Sequence, residues 1–248
     1  MRLNSNFLLP KLIGHRGVKD LKPENTFESI LTAFDLGLEC VEIDVKISKD
    51  CIPLLLHDDT LDRTTDGFGL VCDYTFDEIN KLDAGYYFYK SKTEIKVPSL
   101  RSVLDLVKKK QKYLNIELKP NKEYEELNVE KVLQEIKQTS YDKIYFSSFD
   151  LSSCISLKKR APHLLCGFLN DDFNKVNISE TVDICKKYNF FSCGINLNSF
   201  SSSIVSQFIE NEIKVTVYAD NNISEVQANN LWSNKVSSIF VDDPREYF

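Results

Sequence analysis

The chain has 248 residues, of which 42% are hydrophobic and 27% are charged. That apolar share suffices for a folded core and excludes global disorder, and no apolar run reaches the roughly 18–20 residues of a membrane span. The net charge is −6, from 31 basic and 37 acidic residues. This balance disfavours a general nucleic-acid binder and leaves room only for local anion sites.

The N-terminus and the cysteines bear on the cellular compartment. Residues 1–12 contain one arginine and no small-residue cleavage site, so they make a poor signal peptide. The seven cysteines form an odd set without a CxxC pair, which favours reduced thiols over disulfides or a zinc site. We therefore expect a cytoplasmic protein without stable membrane insertion.

Short apolar strands alternate with amphipathic helices along the chain. Eight strands are predicted, at Leu12–His15, Cys40–Val45, Tyr113–Leu118, Lys143–Ser147, Leu164–Leu169, Ser192–Leu197, Lys214–Tyr218 and Ser238–Val241. Helices are predicted at Thr26–Leu36, Leu100–Lys109, Val129–Gln138, Leu151–Lys159, Ser179–Tyr188, Ile204–Glu210 and Ser224–Trp232. This alternation indicates an α/β protein with a (β/α)8 TIM barrel. The alternative is a doubly wound open sheet, but no GxGxxG or Walker loop supports it.

One segment interrupts the alternation. Pro53–His57 follows the second strand too soon for a helical crossover, so the two strands should pair as an antiparallel hairpin arm. Residues 59–98 are rich in turn signals, with one short helix predicted at Thr75–Leu82. Because this stretch lacks the apolar residues for its own core, we interpret it as a small insertion within a single domain, residues 1–248.

Four consecutive aromatic residues, Tyr86–Tyr89, lie in this insertion. Such a run either packs the insertion onto the barrel or forms an exposed surface for docking on lipid. We expect the packing role.

Carboxylates recur on one face of two predicted strands. Alternation in the second strand directs Glu42 and Asp44 into the barrel, and the third strand likewise directs Asn115, Glu117 and Lys119 inward, towards its C-terminal end. Active sites of such barrels lie at that end. Three carboxylates without a nearby His or Cys pair suit Mg²⁺ or Ca²⁺ rather than zinc. The structural alternatives are a solvated acidic hairpin face and a Glu117–Lys119 contact on an exposed edge.

The histidines divide into two groups. Gly14 and Gly17 flank His15-Arg16 at the end of the first strand, a pattern that favours phosphate recognition with acid–base chemistry. The short hairpin should return His57 close to the carboxylates at which it begins, which makes His57 a candidate partner for His15. The remaining histidine, in a helix-to-strand loop, is His163, and we expect it on the surface.

The ordered motifs resemble the glycerophosphodiester phosphodiesterase family over nearly the whole chain. The matching residues are His15-Arg16-Gly17, Pro23-Glu24-Asn25-Thr26, Glu42-x-Asp44-Val45, Pro53, His57-Asp58, Leu61-Asp62-Arg63-Thr64-Thr65, Gly67, Gly69, Thr75, Glu78, Leu82-Asp83-Ala84-Gly85, Pro98, Leu100, Glu117-Leu118-Lys119, Ser148-Phe149 and Asp243-Pro244. The resemblance implies a metal-dependent barrel that hydrolyses glycerophosphodiesters to sn-glycerol 3-phosphate and an alcohol. The site it implies has the metal ligands Glu42, Asp44 and Glu117, the acid–base pair His15 and His57, and the phosphate-binding cations Arg16 and Lys119. The attacking group would be water or the glycerol 2-hydroxyl, which gives a cyclic phosphate first.

Two departures from the family pattern concern substrate fit. Tyr218-Ala219 stands where the family often has Trp-Thr, and Arg101 and Ser102 stand where it often has acidic residues. We expect Phe149 and Tyr218 to line a pocket for the glycerol or the head group.

Two other functions stay open at this point. A phosphodiesterase of the phospholipase D type would apply the same chemistry to lysophospholipids, and a barrel that only binds phosphate-containing ligands would lack part of the site. All seven site residues are present, so we expect an enzyme with a small-molecule glycerophosphodiester substrate and no nucleic-acid partner. The sequence carries no signal for an oligomeric state.

Overall fold

The computed structural model describes residue 7 and residues 9–173 and 175–248, and its centre is a closed barrel of eight parallel strands. In chain order the strands are β1 (Leu12–Gly14), β2 (Cys40–Ile47), the arm strand β3 (Pro53–Leu55), β4 (Tyr113–Leu118), β5 (Ile144–Ser148), β6 (Cys166–Asn170), β7 (Ser192–Asn196), β8 (Lys214–Tyr218) and β9 (Ser238–Val241). The barrel closes where β1 pairs with both β2 and β9. The (β/α)8 prediction is therefore confirmed, and the open sheet is excluded.

Helices surround the barrel. They are α1 (Phe27–Asp35), α2 (Phe76–Ile79), α3 (Tyr86–Tyr89), α4 (Leu100–Lys110), α5 (Glu125–Thr139), α6 (Leu151–Arg160), α7 (Ile178–Tyr188), α8 (Ser202–Ile209) and α9 (Glu225–Ser233). Val41, Ile43 and Val45 of β2 share one core with Ile30 of α1 and Val103 of α4. The outward face expected for these valines and isoleucine is confirmed. The other face of β2 is thereby directed into the barrel.

A smaller apolar layer fills one level of the barrel interior. Phe7, Ile13, Cys40, Tyr145 and Phe240 belong to this buried cluster. Phe7 and Tyr145 meet edge to face with ring centroids 5.6 Å apart. Cys40 opens β2 at this level, and Glu42 and Asp44 follow it along the same face at two-residue steps towards the C-terminal end. The apolar layer therefore supports the polar residues above it.

The arm and the insertion follow β2. Strand β3 is antiparallel to β2, with Val45 opposite Leu55, which confirms the hairpin. The expectation that the insertion lacks a core of its own is wrong. Seven buried side chains from the arm and the insertion form a separate cluster, namely Leu54, Leu56, Leu61, Val71, Ile79, Ala84 and Val97. These apolar residues are too widely spaced in the sequence to give a periodic pattern. The turns between them bring them together in the fold.

Three further details differ from the sequence predictions. The helix expected at Thr75–Leu82 ends at Ile79, although Thr75 begins it with a capping box to Glu78. Helix α5 starts at Glu125, a turn before the predicted start. The aromatic run Tyr86–Tyr89 is more exposed than a packing role predicts: 40–53% of each of its four side chains is exposed, and Tyr89 contacts Lys22 of the loop after β1. Within the described residues, no helix combines the length and the apolar character needed to cross a membrane.

Candidate active site

Three carboxylates converge inside the C-terminal half of the barrel. Parallel pairing of β2 with β4 places Asp44 opposite Glu117, and Glu42 lies two residues earlier on the same face. One carboxylate oxygen from each of these three residues lies within 4.8 Å of the others, and all three side chains are buried. The three side chains therefore lie inside the barrel, as predicted. The alternative of a solvated acidic hairpin face is excluded.

Burial and mutual repulsion shift the titration of this group. Burial, followed by the charges of Asp44 and Glu117, raises the pKa of Glu42 well above its ordinary value. Burial and the Asp44 charge raise the pKa of Glu117 to about 7. Burial also acts to raise the pKa of Asp44, but the opposing charges of Arg16, His57 and Lys119 lower it. Burial and mutual repulsion therefore oppose the simultaneous ionisation of all three carboxylates when no cation is bound.

This donor set fits a hard divalent cation. Oε1 of Glu42 is buried and has no hydrogen-bond partner among the described residues. A buried carboxylate oxygen without a partner is costly, and a bound cation would remove that cost. Oxygen donors alone, without a His or Cys pair in the cluster, suit Mg²⁺ or Ca²⁺.

The loop after β1 places Arg16 in contact with two of these carboxylates. Arg16 has a positive φ of 51°, and its backbone N–H donates to Oε2 of Glu42 at 2.9 Å. Its Nε lies 3.1 Å from Oδ2 of Asp44, and its Nη1 donates to Glu24 at 2.8 Å. Gly17, at φ 84°, is needed here because a Cβ would lie 2.3 Å from the Ser29 hydroxyl. The guanidinium is thereby held at the cavity wall.

Asn25 fixes the orientation of Asp44. Its Nδ2 donates to Oδ2 of Asp44 at 2.8 Å, and its Oδ1 accepts from the Asp44 backbone N–H at 3.1 Å. Asn25 also has a positive φ of 58°, a conformation that asparagine tolerates better than most residues. Asn25 belongs to the motif Pro23-Glu24-Asn25-Thr26, whose residues alone gave no sign of this contact.

His15 is paired with a carboxylate from the far end of the chain. Its Nδ1 donates to Oδ1 of Asp242 at 2.7 Å, and Lys19 lies 3.1 Å from the other oxygen of Asp242. Burial lowers the pKa of His15 from its ordinary value, although the hydrogen bond that the ring donates to Asp242 acts in the opposite direction. Burial therefore favours the neutral form of this ring.

His57 has an equivalent partner next to it in the chain. Its Nδ1 donates to Oδ1 of Asp58 at 2.6 Å. Arg63 of the insertion donates from Nε to Asp58 at 2.6 Å and from Nη1 to Glu24 at 2.7 Å. Burial lowers the pKa of His57 despite the opposing charge of Asp44. The arm, the insertion and the loop after β1 are tied together by this ion-pair network.

An aromatic wall faces the histidines. Phe149, just after β5, and Tyr218, at the end of β8, meet edge to face with ring centroids 5.5 Å apart. Nζ of Lys119 lies 5.1 Å from the Phe149 ring centroid and 2.9 Å from Glu117. The hydroxyl of Tyr218 lies 2.7 Å from Oδ1 of Asp171. The Glu117–Lys119 contact exists, but inside the barrel rather than on an exposed edge.

One cavity of about 510 Å³ collects these groups. Eight of the nine sequence-predicted site residues line it, namely His15, Arg16, Glu42, His57, Glu117, Lys119, Phe149 and Tyr218. The ninth, Asp44, contacts Arg16 of this lining at 3.1 Å. A larger cavity of about 670 Å³ lies elsewhere, against α5 and α6, and has none of these residues. His163 lines that second cavity and is exposed, as expected.

Comparison with known proteins agrees with this geometry. Residues 15–246 match the model of the glycerophosphoryl diester phosphodiesterase family. The chain belongs to that family. Membership confirms the predicted activity class, a phosphoric diester hydrolase acting on glycerophosphodiesters, and the resemblance on which that prediction rested.

Individual relatives are similar over different lengths. A glycerophosphodiester phosphodiesterase of Bacillus altitudinis is 30% identical over 95% of this chain and 96% of its own length. The one from Caldanaerobacter subterraneus subsp. tengcongensis is 38% identical over 64% of this chain and 65% of its own length. An Oleispira antarctica phosphodiesterase, solved with its product sn-glycerol-3-phosphate, is 29% identical, with a TM-score of 0.88 over 96% of this chain and 95% of that one.

Three contact residues of this phosphodiesterase were missed from the sequence. Asp242, Asp58 and Asn25 each bind a predicted site residue through a hydrogen bond of 2.6–2.8 Å. Asp58 and Asn25 belong to motifs shared with the family, and that membership was the signal that could have assigned them a role. Asp242 had one local signal, its position at the end of the last predicted strand, where barrel active sites gather residues.

Proposed function

We propose that this phosphodiesterase hydrolyses small-molecule glycerophosphodiesters to sn-glycerol 3-phosphate and an alcohol, with His15 and His57 as the acid–base pair. The observation that carries this assignment is that two histidines, each bonded to a carboxylate through Nδ1, line one cavity. Because Nδ1 is engaged in both rings, Nε2 is the atom left to exchange a proton with the substrate. Arg16 and Lys119 would bind the phosphate oxygens.

Glu42, Asp44 and Glu117 would hold one divalent cation, Mg²⁺ or Ca²⁺, at the base of this cavity. Bound there, the cation supplies charge stabilisation as the phosphate gains negative charge in the transition state. The unpartnered oxygen of Glu42 and the raised pKa of Glu117 support this assignment.

The reaction would start with the substrate's own 2-hydroxyl. One histidine takes the hydroxyl proton as the oxygen attacks phosphorus, and the other gives a proton to the departing alcohol oxygen as the P–O bond breaks. Water then opens the resulting cyclic phosphate with the two roles exchanged, which restores both protonation states. The intramolecular route gains from proximity.

Product analysis tests this order of steps. In a single turnover with excess enzyme, we expect a cyclic glycerophosphate to form and decay before sn-glycerol 3-phosphate accumulates. Direct transfer of solvent ¹⁸O to phosphate without any cyclic species would contradict the intramolecular attack while leaving the histidine assignment in place.

The cavity also bears on which head group the substrate carries. Phe149 and Tyr218 would form the wall against which the glycerol or the head group packs, in a cavity of about 510 Å³. We expect soluble glycerophosphocholine and glycerophosphoethanolamine to be cleaved with release of glycerol 3-phosphate. Release of a phosphorylated head group and free glycerol would contradict the proposed bond choice. Faster turnover of lysophosphatidylcholine would favour the lysophospholipid alternative, which the exposed aromatic run Tyr86–Tyr89 favours.

The seven cysteines bear on the site of action. All are free, and five of them are buried. Unpaired thiols persist best in a reducing compartment, which supports a cytoplasmic enzyme.

A further inference from the structure

The insertion presents a continuous exposed segment beside the loop that follows β1. Residues 86–92, Tyr-Tyr-Phe-Tyr-Lys-Ser-Lys, are all exposed, and Tyr87 is the most exposed of the four aromatic side chains at 53%. Helix α3, which carries the aromatic residues, buries none of its side chains. We call residues 86–92 the aromatic ridge.

The aromatic rings contact one another in pairs. Tyr86 meets Tyr87 edge to face at 5.2 Å between ring centroids, and Phe88 meets Tyr89 in the same way at 5.0 Å. Four exposed aromatic residues in one turn form a concentrated apolar surface, and such surfaces mark interaction sites.

The ridge contacts the loop that carries Arg16 of the active site. Nζ of Lys22 lies 3.5 Å from the hydroxyl of Tyr89 and 6.0 Å from its ring centroid. Lys22 belongs to the same loop as Arg16 and Glu24, and Glu24 bonds both Arg16 in the site and Arg63 in the insertion. A surface seated on the ridge would therefore lie next to that loop.

Positive charge accompanies the ridge although the whole chain is acidic. Lys90 and Lys92 are exposed within it, and Lys22 adds a third ammonium at Tyr89. Glu94 is the one acidic residue of the sequence between positions 86 and 96. The chain as a whole has a net charge of −6, so this local excess of lysine is opposite in sign to the average surface.

We propose that the aromatic ridge docks this enzyme reversibly on an anionic phospholipid surface. Tyrosine rings suit the interfacial layer, since the ring enters the apolar region while the hydroxyl stays hydrated, and lysines beside them pair with anionic head groups. Docking in this position would hold the loop that carries Arg16 beside the lipid surface. The docking does not depend on the proposed mechanism.

Vesicle sedimentation tests the proposal. We expect the full chain to sediment with vesicles of phosphatidylglycerol and phosphatidylcholine in equal parts, and to bind vesicles of phosphatidylcholine alone at least ten-fold more weakly. The double variant Tyr87→Ser/Phe88→Ser should lose at least ten-fold in affinity. The charge variant Lys90→Glu/Lys92→Glu should abolish the preference for phosphatidylglycerol.

Controls separate docking from folding and from another partner. Val226→Ser removes an apolar side chain that is 80% exposed on α9 and should bind vesicles like the wild type. All variants should keep wild-type kcat/KM on soluble glycerophosphocholine, because no ridge residue lines the catalytic cavity. The proposal is overturned by absence of vesicle binding, by equal binding to both vesicle types, or by a wild-type dimer in light scattering that Tyr87→Ser/Phe88→Ser converts to monomer.

Discussion

His15 and Asp242 lie 227 positions apart in the sequence, yet Nδ1 of the histidine is 2.7 Å from a carboxylate oxygen of the aspartate. The contact exists because β1 pairs with β9 as the barrel closes, with Gly14 opposite Val241. His57 obtains its carboxylate from the adjacent residue, Asp58. The two rings thus have equivalent partners of different origin, one from barrel closure and one from the arm.

Loss of either histidine should abolish most turnover without unfolding the protein. General acid–base help is typically worth on the order of 10²–10⁴-fold, so we expect His15→Ala and His57→Ala each to lower kcat by that range. Circular dichroism and thermal melting should match the wild type. His163→Ala, which removes an exposed histidine away from the cavity, serves as the matched control. Near wild-type rates in either active-site variant would refute the acid–base assignment.

The Asp242 carboxylate should set both the orientation and the pKa of His15. It raises the pKa of His15 against the larger effect of burial, so Asp242→Asn should lower that pKa further. We expect kcat to fall roughly 10²-fold and one limb of the pH–rate profile to move to lower pH. Asp243→Asn, whose carboxylate instead pairs with Arg245, should change neither quantity. If both limbs stay in place in Asp242→Asn, Asp242 has no influence on the catalytic proton.

The metal-free enzyme should lose stability as pH rises through neutrality. Glu117 has a pKa of about 7 in the folded state against an ordinary 4.5, so the folded state binds its proton more tightly than the unfolded state does. Stability contributed by that proton is present near pH 5 and is lost towards pH 8. We expect Tm in chelator to fall by on the order of 5–10 °C over this range.

Added cation should reverse that loss. Mg²⁺ or Ca²⁺ should raise Tm more at pH 8 than at pH 5, because the carboxylates must be ionised to bind it. Glu117→Gln should flatten the pH dependence in chelator, whereas Glu94→Gln, at an exposed carboxylate, should keep it. Chelator should remove activity and either cation should restore it. A metal-free protein with full activity, or with a Tm independent of pH, would contradict the three-carboxylate site.

The aromatic wall should affect substrate binding more than the chemical steps. Phe149→Ala removes the ring that packs against Tyr218 and Lys119, and we expect KM for glycerophosphocholine to rise roughly ten-fold with a smaller change in kcat. Tyr218→Phe keeps the ring and loses only the hydroxyl with its hydrogen bonds to Asp171 and to the Asn170 carbonyl, so its effect should be less than that of Tyr218→Ala. Steady-state kinetics on the three variants would test this role. A fall in kcat at constant KM would contradict substrate binding by Phe149 and Tyr218.

The accuracy of the sequence predictions depended on how local each signal was. The alternation in β2 alone assigned Glu42 and Asp44 to the interior, because side chains of a strand change face at every residue. The short gap before Pro53 was enough to predict the hairpin, since a parallel return needs a longer crossover. The exposure of the aromatic run Tyr86–Tyr89 was underestimated, because hydrophobicity indicates the environment that a side chain prefers and not whether a surface is available to cover it.

The sequence by itself determined the barrel, the carboxylate faces and the family, because strand and helix periodicities and the ordered motifs are properties of neighbouring residues. Only the tertiary structure decided which distant groups meet. Closure of β1 on β9 pairs His15 with Asp242, and folding of the insertion joins Arg63 to Glu24 across 39 positions. Such contacts depend on how whole elements pack in three dimensions, and no spacing along the chain encodes that packing.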